Sequence, residues 1–413
     1  MYQNNTSQDD KETLKRRALN LHESYGGKIA TEIKIPIHGL ADLALAYSPG
    51  VAEPCRKIAE NPADIFRYTN KTNTVAVISD GSAVLGLGNI GPRAGLPVME
   101  GKALLFKHFA GLDAVPLCLD VRSPEQLVEI CCALEPNYGA INLEDIASPN
   151  CVTVTRELQE RLSIPVFHDD QDGTAVVCAA ALRNAALLTG RKPEDMRVVL
   201  CGMGAAGSAI ARTLKQIGVG QIAGLDKSGV LRRDTGEEKT EWAKHNFVLR
   251  ELFAEDILHS PKAGQDLADL LRGADAFIGV STGGLLRADM VRSMAKDPIV
   301  FAMANPDPEI SPEEALAAGA KIVGTGRMDY PNRINNVLAF PGIFRGAMLA
   351  QQERAPKGLP TRITTEMKLA AIEALAEVLS PDERRPDAIL PSPMDPRVVR
   401  QISAAVCEAC RQQ

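Results

Sequence analysis

The stretch Met196-Arg-Val-Val-Leu-Cys-Gly-Met-Gly-Ala-Ala-Gly207 decides how this chain folds. Its first six residues, with Val198, Val199 and Leu200 in a row, read as a buried strand. Gly202, Met203, Gly204, Ala205, Ala206 and Gly207 then form a tight turn of small residues, and Ser208–Ile217 continues as a helix. A second strand, Gln221-Ile-Ala-Gly-Leu, ends on Asp226, 19 residues past Gly207. At that spacing a carboxylate reaches the adenosine ribose hydroxyls of a dinucleotide whose pyrophosphate lies on the glycine turn. Asp226 favours NAD, whereas Lys227 beside it could neutralise that charge and admit the extra phosphate of NADP. The alternative, a βαβ unit that merely turns tightly, accounts for fewer of these features. Gly86-x-Gly88-x-x-Gly91 matches the same fingerprint by letter but not in context, because its first glycine closes no strand and Pro92 follows at once. It reads as a loop that lets backbone approach a ligand or another segment.

Outward from this unit, strands alternate with helices in both directions. Downstream, Asp275–Val280, Pro298–Met303 and Lys321–Thr325 are strands; the first two end in small or polar residues that include Ser281 and Asn305. Ser311-Pro-Glu-Glu314 starts a helix, with a capping hydroxyl and a proline in the first turn. Asn335 and Asn336 stand before Pro341-Gly342, read as a turn; they serve that turn or hydrogen-bond a ligand. Upstream, Asn73–Ser79, Ala114–Leu119 and Ala140–Leu143 are strands, Pro97–Phe109 and Pro124–Leu134 helices, and Thr174–Leu188 a buried helix joining two domains. The alternation predicts an α/β fold: an N-terminal parallel-sheet domain over residues 1–163, then a Rossmann-type doubly wound dinucleotide-binding domain with C-terminal helices over 164–413.

Ligands of such sheets gather at the carboxyl ends of the strands. Two of those ends carry paired acids: Glu144-Asp145 after Ala140–Leu143, and Asp169-Asp170 after Ile164–Phe167. Either pair alone could be a solvated acidic turn. Both together favour a site for a hard divalent cation such as Mg²⁺ or Mn²⁺. Adjacent strand residues face opposite ways, so Glu144 and Asp145 share one site only where the chain is already turning. Lys102 stands at the edge of an apolar helical face, where it snorkels to water or, held near the acids, becomes a candidate base. Tyr47, beside a Pro-Gly turn, reads locally as amphipathic packing.

Composition narrows the partners. At 413 residues with 45% hydrophobic content, the chain is long enough for two or three cores. Its net charge of −6 and 4% aromatic content speak against nucleic acid, which calls for cations and stacking platforms. Nine cysteines, mostly within apolar runs, suit reduced thiols in a cytoplasmic protein. Cys407-Glu-Ala-Cys410, with no second pair, reads as two positions on a helix. The polar first seventeen residues carry no apolar stretch of a secretory signal, and no run reaches membrane-spanning length.

Taken in order, Ala46-Tyr47-Ser48-Pro49-Gly50-Val51-Ala52, Ser79-Asp80-Gly81, Gly86–Gly91, Met99-Glu-Gly-Lys102, Asn142-Leu-Glu144-Asp145, Phe167-His-Asp-Asp170-Gln, the Gly202–Gly207 turn and Asn335-Asn336 with Phe340-Pro341-Gly342 resemble the malic enzymes, nearest the short bacterial form. The resemblance implies oxidative decarboxylation of malate to pyruvate and CO₂ with NAD or NADP, with no nucleic-acid or membrane partner, in a homodimer or higher homo-oligomer. It implies Glu144, Asp145 and Asp170 as ligands of Mg²⁺ or Mn²⁺, with Asp169 beside them. Lys102 would be the base, Tyr47 the acid, and Asn305, Asn335 and Asn336 neighbours of nicotinamide and malate. Decarboxylation of oxaloacetate is a further activity it implies. Two departures stand out: Asp172 where the bacterial pattern has histidine, and no arginine for malate within Gly81–Gly91. A malolactic-type enzyme, releasing lactate, and a non-catalytic nucleotide sensor are the competing readings.

Overall fold

The structure, a computed structural model, describes residues 8–233 and 247–412. Two sheets organise it. In the first, β1 (Thr74–Ser79), β2 (Asp113–Cys118), β3 (Ala140–Leu143) and β4 (Val166–His168) run parallel in the order β2-β1-β3-β4. The second holds β5 (Arg197–Cys201), β6 (Gln221–Asp226), β7 (Gly229–Val230), β8 (Ala276–Gly279), β9 (Ile299–Ala302) and β10 (Ile322–Thr325) in the order β10-β9-β8-β5-β6-β7. There β7 pairs antiparallel with β6, and the other pairs are parallel. The expected α/β class with a Rossmann-type second domain is present. Because β4 pairs with β3, the first sheet runs to His168, past residue 163.

Burial follows position in the sheet. β1 and β3 are buried along their whole length, while the edge strand β2 is half-exposed and accommodates Pro116, which has no N–H to give a ladder. Strand order reverses between β1 and β3 and again between β5 and β8, which opens a crevice at each place. The helix Thr174–Leu188 joins the two domains through a common core that includes Phe106, Phe167, Leu200 and Phe301. Its alanines let neighbouring elements approach closely, and Asn184 donates to the carbonyls of Ala376 (3.0 Å) and Ile389 (2.9 Å).

Two local expectations fail for physical reasons. Pro341-Gly342 is no turn but the first turn of a helix, Phe340–Arg354, where a proline's missing N–H costs no hydrogen bond. Gly342 is there for space, since a Cβ on it would come within 2.7 Å of Ile402 on the crossing helix Arg397–Arg411. The helix expected from Pro97 starts at Gly91, with Pro92 in its first turn and Pro97 inside it. Cys407 and Cys410 are buried helix positions, as expected.

The N-terminal arm is different in kind. None of residues 12–70 is buried, although the arm forms the helices Leu40–Ala46 and Ala52–Glu60. Apolar side chains stand out from it, Leu40 at 84%, Ile33 at 78% and Leu45 at 77% exposure.

Candidate active site

The carboxyl ends of both sheets open into one cleft of ≈ 1090 Å³, which brings the acids of the first domain opposite the glycine turn of the second. Glu144 leaves β3 in line with the strand. Asp145 then takes a positive φ of 55°, and this is the turn that lets two adjacent acids serve one site. After β4, Asp169–Gly173 forms a single π-helical turn before the helix Thr174–Leu188. Gly173 is required there, because a Cβ would lie 1.8 Å from Asp169 Oδ1. The Asp145 N–H donates to Asp170 Oδ2 at 2.7 Å and so locks the two strand ends together.

Ligand oxygens of Glu144, Asp145 and Asp170 lie within 4.8 Å of one another. Asn142, whose role the sequence did not disclose, donates to Glu144 Oε2 at 2.9 Å and orients that carboxylate. Lys102, only 7% exposed, reaches in from the helix Gly91–Ala110 to within 2.9 Å of Glu144 Oε1 and 2.5 Å of Asp169 Oδ2, with its ammonium 4.4 Å from the centre of the Phe340 ring. It does not snorkel. Burial alone would favour a neutral amine, yet Asp169 and Glu144 hold its pKa above the usual lysine value. The acids are raised as well, which for them favours the neutral form: burial, opposed by Lys102, pushes Glu144 and Asp169 up to about 7, and Asp170 up to about 6. His168, fully buried, is pushed down to about 4 and stays neutral.

Four crowded carboxylates face one ammonium, and Asp169 Oδ1 is buried with no hydrogen-bond partner among the described residues. This all-oxygen, electron-rich set fits a hard divalent cation held by Glu144, Asp145 and Asp170. Asp172 adds no uncompensated charge, for Lys368 Nζ pairs with it at 2.9 Å.

On the facing wall the cleft is lined by Gly204, Ala205, Ala206, Ser281, Asn305 and Asn336. Gly202 and Gly207 pack against each other: a Cβ on Gly207 would lie 1.8 Å from the Gly202 carbonyl oxygen. Met203 is 1% exposed, so its side chain belongs to the core and only its backbone belongs to the turn. Asp226 closes β6 and accepts from the N–H and hydroxyl of Ser228, both at 2.6 Å; Lys227 beside it is exposed. Asn335 lines the cleft but spends its amide locally, accepting from Val337 N–H (3.1 Å) and donating to the Gly326 carbonyl (3.3 Å), which is turn chemistry. The Gly86–Gly91 loop approaches another segment, as a Cβ on Gly86 would lie 2.4 Å from the Asn305 carbonyl oxygen.

Tyr47 is not brought into this site. It is 74% exposed on the N-terminal arm and is not among the residues lining the cleft.

The family model described as "Malic enzyme, N-terminal domain" matches residues 27–159, and "Malic enzyme, NAD binding domain" matches residues 171–413. The chain is 49% identical to a bifunctional malic/malolactic enzyme of Bacillus subtilis, over 96% of this chain and 93% of that protein. It is 50% identical to an NAD-dependent malic enzyme of Geobacillus stearothermophilus, over 93% of this chain and 77% of that one. The crystal structure of an NAD-dependent malic enzyme from Thermotoga maritima superposes with a TM-score of 0.87 at 45% identity, covering 94% of this chain and 98% of that one.

Proposed function

The chain belongs to the malic enzyme family, decarboxylating oxidoreductases, and from that premise we propose that it converts (S)-malate to pyruvate and CO₂ with reduction of NAD or NADP, dependent on Mg²⁺ or Mn²⁺. One observation carries the reading: Lys102 is buried against Glu144 and Asp169, next to Asp145 and Asp170, across a single cleft from the glycine turn.

When bound, the divalent ion would supply Lewis acidity at the substrate's C2 oxygen, and the dinucleotide a hydride acceptor. The chain's own groups do the rest. Glu144, as a ligand of the ion, would support the Lys102 ammonium less, which would bring the lysine nearer to a base able to take the C2 hydroxyl proton. Asp169 stays hydrogen-bonded to Nζ and keeps it aimed. Asn305 and Asn336 offer amides to the substrate carboxylate and the nicotinamide amide. Loss of CO₂ from the resulting 2-oxo acid leaves the enolate of pyruvate, which also makes oxaloacetate a substrate for the second half-reaction. An acid must then protonate C3, and Tyr47 is the proposed acid.

Tyr47 can serve only if it enters a cleft other than by its place in the single chain. The apolar arm that carries it supports a homodimer, in which the arm covers a second copy and Tyr47 completes the partner's site. Mixing Tyr47→Phe with Lys102→Ala tests this, because a mixed dimer regains one intact site only if the two residues act across subunits. Activity that stays absent in verified mixed dimers would refute the shared site.

The overall reaction is tested with malate, NAD⁺ or NADP⁺, and Mn²⁺ present or chelated. Pyruvate and free reduced cofactor in equal amounts, only with metal, are expected. Lactate without free reduced cofactor would favour the malolactic reading, which the bifunctional Bacillus relative supports. Dinucleotide binding without turnover would favour a sensor.

A further inference from the structure

Glu309 is 0% exposed, lies behind the cleft wall, and has no part in the chemistry described so far. Its carboxylate joins the ends of two strands. Oε1 accepts from the Ser281 N–H at 2.8 Å and from the Ser281 hydroxyl at 3.3 Å, just after β8; Oε2 accepts from the Ala304 N–H at 3.1 Å, just after β9. The main chain extends the same contact, with Gly284 N–H donating to the Pro308 carbonyl (3.1 Å) and Leu286 N–H to that of Glu309 (3.0 Å). Gly279, the last residue of β8, leaves the space for this carboxylate, since a Cβ there would lie 2.4 Å from its carbon. Ser281, Ala304 and Asn305 all face the cleft.

Strand order tells which part of the cofactor lies there. Asp226 on β6 marks the adenosine side, and the glycine turn after β5 marks the pyrophosphate. The nicotinamide half therefore extends over the other side of β5, past the ends of β8 and β9. That ring is a cation when oxidised and neutral when reduced. A buried anion behind it acts on the two forms unequally, because a low-dielectric surrounding screens little of its field.

We propose that Glu309 is a positioning residue that fixes the two strand-end loops under the nicotinamide and whose charge favours binding of the oxidised cofactor over the reduced one. This rests on the dinucleotide reading of the cleft given above. Burial raises the Glu309 pKa above the usual carboxylate value, and the backbone N–H donors of Ser281 and Ala304 oppose this in part by stabilising the ionised form.

The test measures NAD⁺ binding by calorimetry and NADH binding by fluorescence, on the full chain without malate. Glu309→Gln removes the charge while keeping the shape; it is expected to weaken NAD⁺ roughly tenfold and NADH by no more than about threefold. Glu309→Asp keeps the charge but shortens the reach; it should weaken both forms while leaving their ratio at the wild-type value, and it serves alone if the glutamine variant does not fold. Equal weakening of both forms in Glu309→Gln, no weakening at all, or a changed ratio in Glu309→Asp would overturn the proposal. Should the wild-type chain bind neither form, the cofactor reading itself falls, an outcome distinct from any difference between variants.

Discussion

At the ends of β3 and β4 the cleft is walled by charged side chains held within hydrogen-bond reach of one another, whereas after β5, β8 and β9 it is walled by backbone and small residues. The first wall crowds four carboxylates about one ammonium and shifts their pKa values; the second presents a glycine turn at a helix N-terminus and loops tied from behind by Glu309. Groups that exchange protons, or that bring negative charge to a metal, are side chains here, because backbone amides neither titrate near neutral pH nor carry net charge. A pyrophosphate needs close approach of N–H groups, which any Cβ on the turn would obstruct. The two walls should therefore fail separately when altered.

Asp170→Ala gives the largest expected effect. It removes one of the three ligands proposed for the ion, and turnover should fall at least roughly 10³-fold, since Lewis-acid stabilisation is worth several kcal/mol and each ~1.4 kcal/mol is tenfold. NAD⁺ affinity, measured by calorimetry, should stay within about twofold of wild type, as uncoupled sites do. A comparable loss of NAD⁺ binding would break the comparison by coupling the walls.

Gly207→Ala is the converse. Its Cβ would come 1.8 Å from the Gly202 carbonyl, so the turn must open. Overpacking of this kind costs about 1–3 kcal/mol, so NAD⁺ binding should weaken roughly tenfold to a hundredfold. Mn²⁺ binding, followed by the paramagnetic signal of the free ion, should not change.

The two walls were also unequally legible in the sequence. The glycine turn and Asp226 are contiguous in a spacing set by one βαβ unit, so local pattern was enough. The acid wall showed its residue types at two strand ends, but its geometry depended on a positive φ at Asp145 and a π-helical turn at Asp169–Gly173, neither of which has a period to read. Lys102 could have snorkelled by pattern alone; the structure turns it inward because Glu144 and Asp169 await it. Glu309 gave no local sign, for its partner Ser281 lies on another strand end; Asn142 lies two residues from Glu144, but a strand residue's amide does not by itself show that it will orient the carboxylate beyond the strand end. The helix Phe340–Arg354 was missed because Pro341-Gly342 signals a turn until the crossing helix Arg397–Arg411 is seen to require the glycine. Asp172 looked like added negative charge until Lys368, 196 residues away, supplied its partner.

The pH dependence of stability sharpens the contrast. Glu144 and Asp169, pushed up to about 7, and Asp170, up to about 6, have folded-state pKa values above those of the unfolded chain. A raised pKa means that the folded state binds more protons between the two values, so the associated stability is present below about pH 4 and is lost as pH rises through 6 to 7. A dication relieves the repulsion only where the acids are ionised. Mn²⁺ should therefore raise the melting temperature more at pH 8 than at pH 5.5, by an additional few degrees at roughly 2–4 °C per kcal/mol. Asp170→Asn should shrink that difference, whereas Gly207→Ala should leave it intact; the reverse result would place the titration on the wrong wall.

The smallest expected effect tests whether the backbone wall is as free of charge chemistry as it looks. Its proposed selective element is the end of β6, where Asp226 is held by the Ser228 N–H and hydroxyl in a fixed orientation. A carboxylate so placed accepts hydrogen bonds from ribose hydroxyls and repels a 2′-phosphate, which favours NAD⁺. Lys227 follows it directly and is exposed, so its contribution should be that of a surface ion pair, up to about 1 kcal/mol. Lys227→Ala should then lower kcat/KM for NADP⁺ by about threefold to fivefold and leave the value for NAD⁺ unchanged. The NADP⁺ loss should also fade as salt rises, because exposed charges are screened within a Debye length of about 10 Å at 0.1 M. An equal loss with both cofactors, independent of salt, would mean that Lys227 supports the turn instead of reading the phosphate. In that case Asp226 alone sets the preference, and the difference between a wall of charges and a wall of backbone holds up to the cofactor's far end.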